Sequence, residues 1–562
     1  MPEDVVLHLP PAARPPRFED GAELARPVAK KLRLRPDALA EVRVTRVSFD
    51  GRRGKRGWRV AVRAWRRGED VPSAPATSPP QLARALADGP RVVVVGSGPA
   101  GLFAALELAS AGARVHVLER GRDVRGRRRS IRRLNRGETC EPDSNYCFGE
   151  GGAGTYSDGK LYNRSGSKRD VRAVLETLVA HGAPPEILVD WRPHVGSNRL
   201  PEVVKALRET LRAAGHEVRF RTRVEELIVD AGAVRGVRLR DLETDRSAEL
   251  DCDAVVLATG HSAPDALEMA ARAGARLEAK GFAMGVRAEH PQPWLDARQY
   301  GGLREAHDLP AAFYELTTNV EERGVYSFCM CPGGFIVPTT TADERLIVNG
   351  MSLSRRDSPF ANSGLVVGLQ PQDWCGARGV AWGWPQLLQR AAALRGEDAS
   401  APLPEDPEDD PLFGVRLQEA LETVAAAAGG GRHRAPAQLA SHFLAGQPGQ
   451  TVLPTSYRPG LTPTSLDELL PVGMAQRLRS GLATFDARLP GYASEIGQLV
   501  GVETRTSSPV RAVRDDETLQ AAGVRGLWPA GEGAGYAGGI VSAAIDGRRV
   551  ARALLKSLRT SD

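Results

Sequence analysis

Residues 91–121 read RVVVVGSGPAGLFAALELASAGARVHVLERG, and this stretch decides the fold. Four consecutive valines, 92–95, predict a strand that is buried on both faces and runs into the spacing G-x-G-x-x-G. Gly96 permits a tight turn, Gly98 lets a pyrophosphate approach the backbone, and Gly101 lets the next helix pack closely on the strand. A strand that ends in a phosphate-binding loop is therefore predicted.

The segment after this loop completes the pattern of a dinucleotide site. A helix predicted over 99–111, opening with Pro99 and Ala100, directs its first N–H groups and the positive end of its dipole at the phosphate. A second strand, 114–118, ends in Glu119, where a carboxylate accepts hydrogen bonds from a ribose. Because loop, helix, strand and acid follow in this order, a dinucleotide site is favoured over a glycine-rich turn in an ordinary βαβ unit.

Composition and charge limit the class of protein. With 562 residues, 42% of them hydrophobic, the chain is expected to form about two to four domains. Its 75 basic side chains are offset by 69 acidic ones, and the net charge of +6 permits an anionic ligand without requiring nucleic acid. The sequence opens without the apolar core of a signal peptide, and no run approaches the about 18 apolar residues of a membrane span. We expect a cytoplasmic protein with no membrane span.

The region ahead of the nucleotide fold predicts a small α+β domain, with strand-like alternation around one helical segment. Its basic end, 52–67, could meet RNA, but basic residues interleaved with Val and Trp are more typical of the solvated face of a strand, so a nucleic-acid partner is not favoured. The predicted organisation is an N-terminal domain (1–70), a linker rich in Pro, Ser and Ala (71–90), the nucleotide domain (91–275), an inserted substrate domain (276–499) and a return to the nucleotide domain (500–562).

A glycine-rich segment, CFGEGGAGTYSDGKL at 147–161, follows the nucleotide unit. Five glycines in so short a span predict a loop that approaches another group closely, and its position favours a cofactor-facing loop containing Gly151 and Gly152 over an ordinary surface loop. Asp158 and Lys160 in this loop could hold an anionic substrate group or the cofactor, or could form a simple turn salt bridge.

The C-terminal segment supplies the second half of the predicted site. A strand at 526–530 ends in Gly531 and Glu532, where the acid can bind hydroxyl groups of the cofactor. Gly538 and Gly539 then open a helix at Ile540, whose N-terminus can stabilise negative charge. Two half-sites more than 400 residues apart, closing one fold, are more specific than either one alone.

Several motifs occur in an order that resembles a known family. They are GSGPAG, ERG, FGEGGAGTYSDGKL, GVRAEHPQ, YSFCMCPGG, NGMS, RTSSPVR and PAGEGAGYAGGIVSAAIDG. Together they resemble the uncharacterised FAD-dependent dehydrogenases of bacteria, within the glutathione-reductase-type flavoprotein group, over about residues 90–560. The segment 368–410, which includes WCGARGVAWGWPQ, departs from the family pattern.

The resemblance implies a fold and a cofactor. The expected fold class is α/β, a two-domain FAD-binding flavoprotein with a Rossmann-type βαβ nucleotide domain, an inserted α+β substrate domain and the small N-terminal α+β domain. The expected cofactor is non-covalent FAD, and Arg120 after the acid favours FAD over NAD. The expected function is an FAD-dependent oxidoreductase, a dehydrogenase or reductase, that transfers hydride between flavin N5 and a small organic substrate.

Candidate catalytic side chains are few. His290 could move the proton that accompanies hydride transfer, although a structural histidine at a strand end is slightly favoured. The six cysteines form no C-x-x-C pair and no secreted-type framework, and no metal site is predicted. Cys329 and Cys331 would share one face of a strand, where they could relay electrons to the flavin or simply pack. Lys160, from the glycine-rich loop, is the remaining candidate catalytic residue.

The electron source and the rival chemistries stay open at this stage. A second βαβ unit for nicotinamide is absent from the sequence, so NAD(P)H would dock transiently in the same cleft, or a protein carrier would supply electrons. A flavin monooxygenase or halogenase is one alternative. Trp382-Gly383-Trp384-Pro385 is similar to part of a halogenase motif, but the rest of the motif is missing and a hydrophobic turn is favoured. An RNA-associated flavoprotein of the tRNA-modifying type is the other.

Overall fold

The computed structural model describes residues 2–52, 54–74, 78–82, 84–86, 88–162, 166–307, 309–398 and 402–560. Positions 75–77, 83 and 87 of the predicted linker lie outside these ranges, as do 399–401 in the substrate domain. Among the helices of the described ranges, none is long and apolar enough to cross a membrane.

The N-terminal region forms a three-stranded antiparallel sheet in the order β1-β3-β2. Its elements are β1 (Glu3–Leu9), α1 (Ala25–Leu32), β2 (Leu39–Asp50) and β3 (Gly57–Arg66). Arg63 and Arg66 of β3 form ion pairs with Asp4 and Glu3 of β1. These pairs use basic side chains of the segment that could have met RNA, and they favour the solvated-face interpretation.

The nucleotide domain begins with alternating strands and helices and continues into an antiparallel sheet, β7-β8-β9. Its elements are β4 (Arg91–Val95), α2 (Pro99–Ser110), β5 (Arg114–Leu118), α3 (Val124–Leu134), α4 (Lys168–Ala180), α5 (Leu200–Ala213), β6 (Glu217–Arg219), β7 (Thr222–Asp230), β8 (Ala233–Asp241), β9 (Arg246–Asp251), β10 (Ala254–Leu257) and α6 (Pro264–Arg272). The strand and helix predicted from the opening stretch are therefore present, and α2 ends one residue before the predicted position.

The substrate domain is built on a seven-stranded sheet. Its elements are β11 (Leu277–Ala279), β12 (Phe282–Pro291), α7 (Gln292–Tyr300), α8 (Leu303–Ala306), β13 (Thr317–Val320), β14 (Arg323–Cys331), β15 (Phe335–Pro338), β16 (Val348–Met351), β17 (Phe360–Leu369), α9 (Gly376–Trp382), α10 (Trp384–Arg395), α11 (Phe413–Gly429), β18 (Ala435–Leu439), α12 (Ala440–Ala445), β19 (Leu461–Pro463), α13 (Leu466–Leu469), α14 (Val472–Arg488) and β20 (Gln498–Glu503). The sheet order is β13-β14-β17-β12-β20-β18-β19.

The chain then returns to the nucleotide domain through β21 (Val510–Ala512), β22 (Leu527–Pro529) and α15 (Ile540–Thr560). β22 joins the five-stranded parallel sheet in the order β22-β10-β4-β5-β6, so the last strand lies beside the strand that ends at residue 257. The outgoing strand β11 and the returning strand β21 pair with each other. The α/β fold class with a Rossmann-type sheet and an inserted domain is confirmed.

One prediction about the substrate domain needs correction. The predicted boundary at residue 499 cuts through β20, whose residues 498–500 and 503 pair with β12, so the substrate sheet continues to Glu503. Trp382 and Trp384, in the segment similar to a halogenase motif, are buried and stacked with ring centroids 5.9 Å apart. They lie on either side of the turn at Gly383 between α9 and α10, in the core of the substrate domain, which agrees with the hydrophobic turn favoured from the sequence.

The four valines of β4 explain why the central sheet is buried on both faces. Val92 and Val94 pack into the cluster that contains α2 and α15, whereas Val93 and Val95 pack into the cluster formed by β7, β8 and α6. All four side chains are at most 6% exposed. The loop after β4 is thereby held rigidly between two layers.

Candidate active site

The phosphate loop after β4 shows three distinct uses of glycine. A Cβ on Gly96, which has φ +103°, would overlap the Ala258 carbonyl oxygen, and a Cβ on Gly101 would overlap the Gly96 carbonyl oxygen. A Cβ on Gly98 would find only the Gly152 Cα within 4 Å, at 3.8 Å. The loop is closed behind Gly96 and open in front of Gly98, which is the face a pyrophosphate needs.

Glu119 ties the phosphate loop to the glycine-rich loop. Its Oε2 accepts hydrogen bonds from the Ser97 backbone N–H at 2.9 Å and the Ser97 hydroxyl at 2.7 Å. Its Oε1 accepts from the N–H groups of Gly121 at 2.8 Å and Gly149 at 3.1 Å. The side chain is 5% exposed and also lines the cleft, so a ribose would share a carboxylate that already positions both loops.

Arg127 holds the glycine-rich loop in place. Its guanidinium is fully buried and donates to five backbone carbonyl groups between 145 and 152, at distances from 2.7 to 3.2 Å. Burial lowers the pKa of Arg127. Among its neighbours in the same segment, Arg120 lines the cleft and stacks 4.5 Å above the Phe148 ring.

The C-terminal half closes the opposite wall of the cleft. Glu532 lines the cleft, and its carboxylate lies 3.3 Å from His261 Nδ1. A Cβ on Gly538 would meet nothing within 4 Å, and α15 begins two residues later, at Ile540. The positive end of the α15 dipole is therefore presented at the cleft.

The structure brings most of the predicted cofactor residues to one cleft. Those on its wall are Gly96, Gly98, Pro99, Ala100, Glu119, Arg120, Gly152, Glu532, Gly538, Gly539 and Ile540. Gly101, Gly151 and Gly531 lie behind the wall, where a Cβ would crowd the Gly96 carbonyl, the Thr155 hydroxyl and the Ala100 methyl, respectively. An open glycine face, a shared carboxylate and a helix N-terminus along one mainly apolar cleft fit FAD.

The substrate domain contributes the far end of the same cleft. Phe328, Cys329, Asn349, Gly350 and Thr506 line it together with the nucleotide-domain residues. The two domains therefore meet across the cleft, and a group bound there would contact both.

Cys329 belongs to a cluster of two thiols and a lysine. Lys160 Nζ lies 3.6 Å from Cys329 Sγ and 3.8 Å from Cys331 Sγ. Cys329 has φ +45°, and the register of β14 against β17 shifts between Phe328 and Cys331. A β-bulge thus brings both thiols to one ammonium group, whereas Lys160 and Cys331 lie behind Cys329 and do not line the cleft.

A buried arginine supports this cluster from the opposite side. Arg287 Nη1 lies 2.5 Å from Glu503 Oε2, its Nη2 donates to the Cys329 carbonyl at 2.8 Å, and the same nitrogen is 3.6 Å from Cys331 Sγ. Asn362 accepts from Nε at 2.7 Å. The sequence singled out neither Arg287 nor Asn362 for the site, although a charged side chain inside a strand of a sheet covered on both faces is a detectable signal.

The two thiols differ in pKa because their surroundings differ. A hydrogen bond from Cys331, and then the positive charges of Lys160 and Arg287, lower the pKa of Cys329. Burial, and then the hydrogen bond to Cys329, raise the pKa of Cys331 well above its usual value. Burial also raises the pKa of Glu503 to about 7 in spite of Arg287. Cys329 is therefore the thiol that ionises first.

Asp158 anchors Lys160. It is 1% exposed, lies 3.6 Å from Lys160 Nζ and 3.1 Å from Arg356 Nη2, and accepts a hydrogen bond from Ser352. Although burial opposes it, the charges of Lys160 and Arg356 hold the pKa of Asp158 well below its usual range. Asp158 is thus a buried partner of Lys160, whose ammonium group contacts the thiols.

His290 is not brought to the cleft. It is 1% exposed, its Nε2 lies 2.6 Å from the Tyr492 carbonyl, and its ring stacks on Trp294 with centroids 5.0 Å apart. Burial lowers its pKa to about 4, so the ring stays neutral at pH 7. The acid–base role considered from the sequence is replaced by the structural alternative.

Comparisons with known proteins agree with the assignment of the cleft to FAD. Residues 90–293 match the family described as FAD binding domain, and residues 281–506 match the family described as FAD-dependent protein, C-terminal domain-like. An uncharacterized protein of Clostridium beijerinckii is 40% identical over 471 residues, which cover 83% of this chain and 81% of that protein.

Similar solved structures are more distant. A geranylgeranyl bacteriochlorophyll reductase-like protein of Thermoplasma acidophilum is 12% identical, covers 84% of this chain and 80% of its own, and gives a TM-score of 0.33. A flavocytochrome c3 fumarate reductase is 13% identical, covers 84% and 78%, and gives 0.32.

Proposed function

Because the chain belongs to the family of FAD-dependent proteins that share this C-terminal domain, we propose that its substrate binds beside Cys329, where the cofactor cleft enters the substrate domain. The protein is an FAD-dependent oxidoreductase, and bound FAD supplies two-electron chemistry by exchanging hydride at N5. The substrate class we propose is a small organic anion. Membership of the glutathione-reductase-type group is part of this proposal and is supported by the phosphate loop, Glu119 and α15.

One observation carries the proposal. The cleft runs without interruption from the open face of Gly98 to Cys329, so a cofactor whose pyrophosphate lies on α2 would place its other end against the substrate domain. A substrate held on the substrate-domain wall would then lie against that end. Binding by both domains would exclude water from the reacting groups.

The charges near Cys329 favour an anion. Lys160, Arg287 and Arg356 contribute three positive charges, whereas Asp158 and Glu503 contribute at most two negative ones. Burial raises the pKa of Glu503, which makes its negative charge the less firmly held of the two. An anionic group of the substrate, or an ionised Cys329, would balance the excess of positive charge.

We also propose where the electrons come from and where the protein acts. NAD(P)H docking transiently in the cleft, or a protein electron carrier, would reduce the cofactor. All six cysteines are unpaired in the structure, which supports a reducing compartment such as the cytoplasm.

The test uses the FAD-loaded protein without oxygen. NADH and NADPH are mixed with it in turn, and loss of the visible FAD absorbance is followed; reduced protein is then mixed with small unsaturated or oxidised carboxylates, and with air. We expect one nucleotide to bleach the absorbance and at least one carboxylate to restore it faster than air does. Fast restoration by air alone would favour an oxygen-using enzyme.

A matched pair of variants tests the anion site. Lys160→Gln removes the partly buried cation behind Cys329, whereas Lys168→Gln removes an exposed cation at the start of α4. We expect only Lys160→Gln to slow the restoration of the FAD absorbance by the carboxylate, by about tenfold or more. Equal effects in the two variants would contradict an anion site that depends on the positive charge of Lys160.

A further inference from the structure

We propose that Cys329 and Cys331 form a redox-active pair that cycles between dithiol and disulfide and exchanges two electrons with FAD in the cleft. The inference rests on the proposed function, because it needs FAD beside Cys329. It adds an activity, thiol–disulfide exchange with the cofactor, and assigns the cluster of Cys329, Cys331 and Lys160 a role beyond substrate binding.

Backbone geometry carries the first step. On a regular strand, residues two apart are separated by about 6.5–7 Å, which is too far for a disulfide, because that bond needs Cβ atoms about 3.5–4.5 Å apart. β14 is not regular here. The left-handed φ of Cys329 and the bulge after Phe328 bend the backbone between the thiols, and both sulfur atoms contact the Lys160 ammonium.

The environment of the pair carries the second step. Cys329 lines the cleft, whereas Cys331 is fully buried behind it, between Lys160 and Arg287. Two cations next to two thiols stabilise one thiolate, and the hydrogen bond from Cys331 leaves the proton on the buried sulfur. A packed core would surround thiols with apolar groups and would have no need of two charged side chains.

The redox step balances without another reactant. Oxidation of the pair joins the two sulfur atoms and releases two electrons and the single proton of Cys331. The same two electrons and one proton convert oxidised FAD to its anionic reduced form. In the reverse direction the S–S bond breaks, Cys329 leaves as the thiolate, and Cys331 takes the proton.

One tryptic peptide gives a readout that does not depend on activity. Residues 324–345, GVYSFCMCPGGFIVPTTTADER, contain both cysteines of the pair and no other. FAD-loaded protein is oxidised with ferricyanide or reduced with dithionite, and free thiols are then alkylated under denaturing conditions. After trypsin digestion, the mass of the peptide is measured by mass spectrometry. We expect an unalkylated peptide lacking two hydrogen atoms after oxidation and a doubly alkylated peptide after reduction. A doubly alkylated peptide in both samples would overturn the inference.

An electron count provides the second measurement. Oxidised wild-type protein should take up about four electrons per FAD from dithionite, whereas Cys329→Ser and Cys331→Ser should take up about two. Cys375→Ser, which changes a buried cysteine in the substrate domain that contacts the Pro371 carbonyl, should still take up about four. A wild-type count of about two would overturn the inference.

The two proposals can fail separately. If a nicotinamide nucleotide and a carboxylate turn over the bound FAD while the peptide stays doubly alkylated, the thiol pair is not redox active and the proposed function stands. If the peptide cycles while every carboxylate leaves the absorbance unchanged, the pair is redox active and the proposed substrate class is wrong.

Discussion

Single residues determine much of this site through buried charge. Arg127 lies in a run of nine arginines between 120 and 136, yet it is the one of these nine that is fully buried. Its partners are carbonyl groups 18 to 25 residues further along the chain. A helical pattern separates exposed from buried faces, but it does not identify which arginine meets a loop that folds back onto it.

Replacing Arg127 should disrupt the glycine-rich loop. Arg127→Lys keeps a positive charge but cannot reach five carbonyl groups with one ammonium, so we expect the free energy of unfolding to fall by about 3 kcal/mol or more and FAD to be lost on gel filtration. Urea unfolding and the ratio of visible to ultraviolet absorbance measure the two effects. Arg129→Lys, in an exposed position of the same helix, is the control, and equal effects would contradict the assignment.

Lys160 should set the reactivity of Cys329. Removing the ammonium 3.6 Å from the sulfur in Lys160→Gln should raise the pKa of the thiol by about one unit or more. The rate of alkylation of the 324–345 peptide by iodoacetamide, measured against pH on the folded protein, reports this pKa. An unchanged midpoint would show that Lys160 does not act on the thiol.

His290 should affect acid stability and leave catalysis unchanged. Its pKa is about 4 in the folded protein and about 6.5 in an unfolded chain, so the unfolded state binds more protons as pH falls from 6.5 to 4. As pH falls across that range, the free energy of unfolding of the wild-type protein should therefore decrease by about 3 kcal/mol relative to that of His290→Gln, measured by urea unfolding at each pH. A loss of cofactor turnover in this variant at pH 7, with folding intact, would restore the acid–base role.

At the scale of elements, the sequence was most informative where a pattern is local. The valines of β4, the glycine spacing and the turn into α2 all lie within 20 residues, and the structure has them as predicted. The Arg287–Glu503 pair spans 216 residues, and the bulge at Cys329 depends on pairing with β17. Neither feature leaves a local pattern, so neither was predictable from periodicity.

The phosphate loop offers a test of the cleft at this scale. Gly98→Val should place methyl groups on the open face of the loop and reduce FAD affinity by about a hundredfold, because the pyrophosphate would lose its approach to the backbone. Gly302→Val is the control, since a Cβ there would meet nothing within 4 Å and its φ is −78°. Fluorescence titration of the apoprotein with FAD measures both affinities, and tight binding by Gly98→Val would place the cofactor elsewhere.

At the scale of the whole molecule, the N-terminal unit decides between an enzyme and an RNA-binding flavoprotein. Two of its cations, Arg63 and Arg66, are paired with acids in the sheet. We expect the full chain to bind a tRNA-sized RNA no more tightly than about 1 μM at physiological salt, measured by fluorescence anisotropy. Tighter binding that weakens steeply with salt, and is lost on removal of residues 1–70, would revive the RNA-associated alternative.

The pairing of β11 with β21 has a consequence for how this architecture can change. Ala279 and Val510 face each other across two antiparallel strands, which lie about 4.8 Å apart. The some 230 residues between them leave the nucleotide domain on β11 and return to it on the adjacent strand β21. A two-residue turn could therefore connect these two strands directly. The nucleotide domain thus has one insertion point between β11 and β21. A different domain whose ends lie close together could be inserted there without rearranging the parallel sheet that holds FAD.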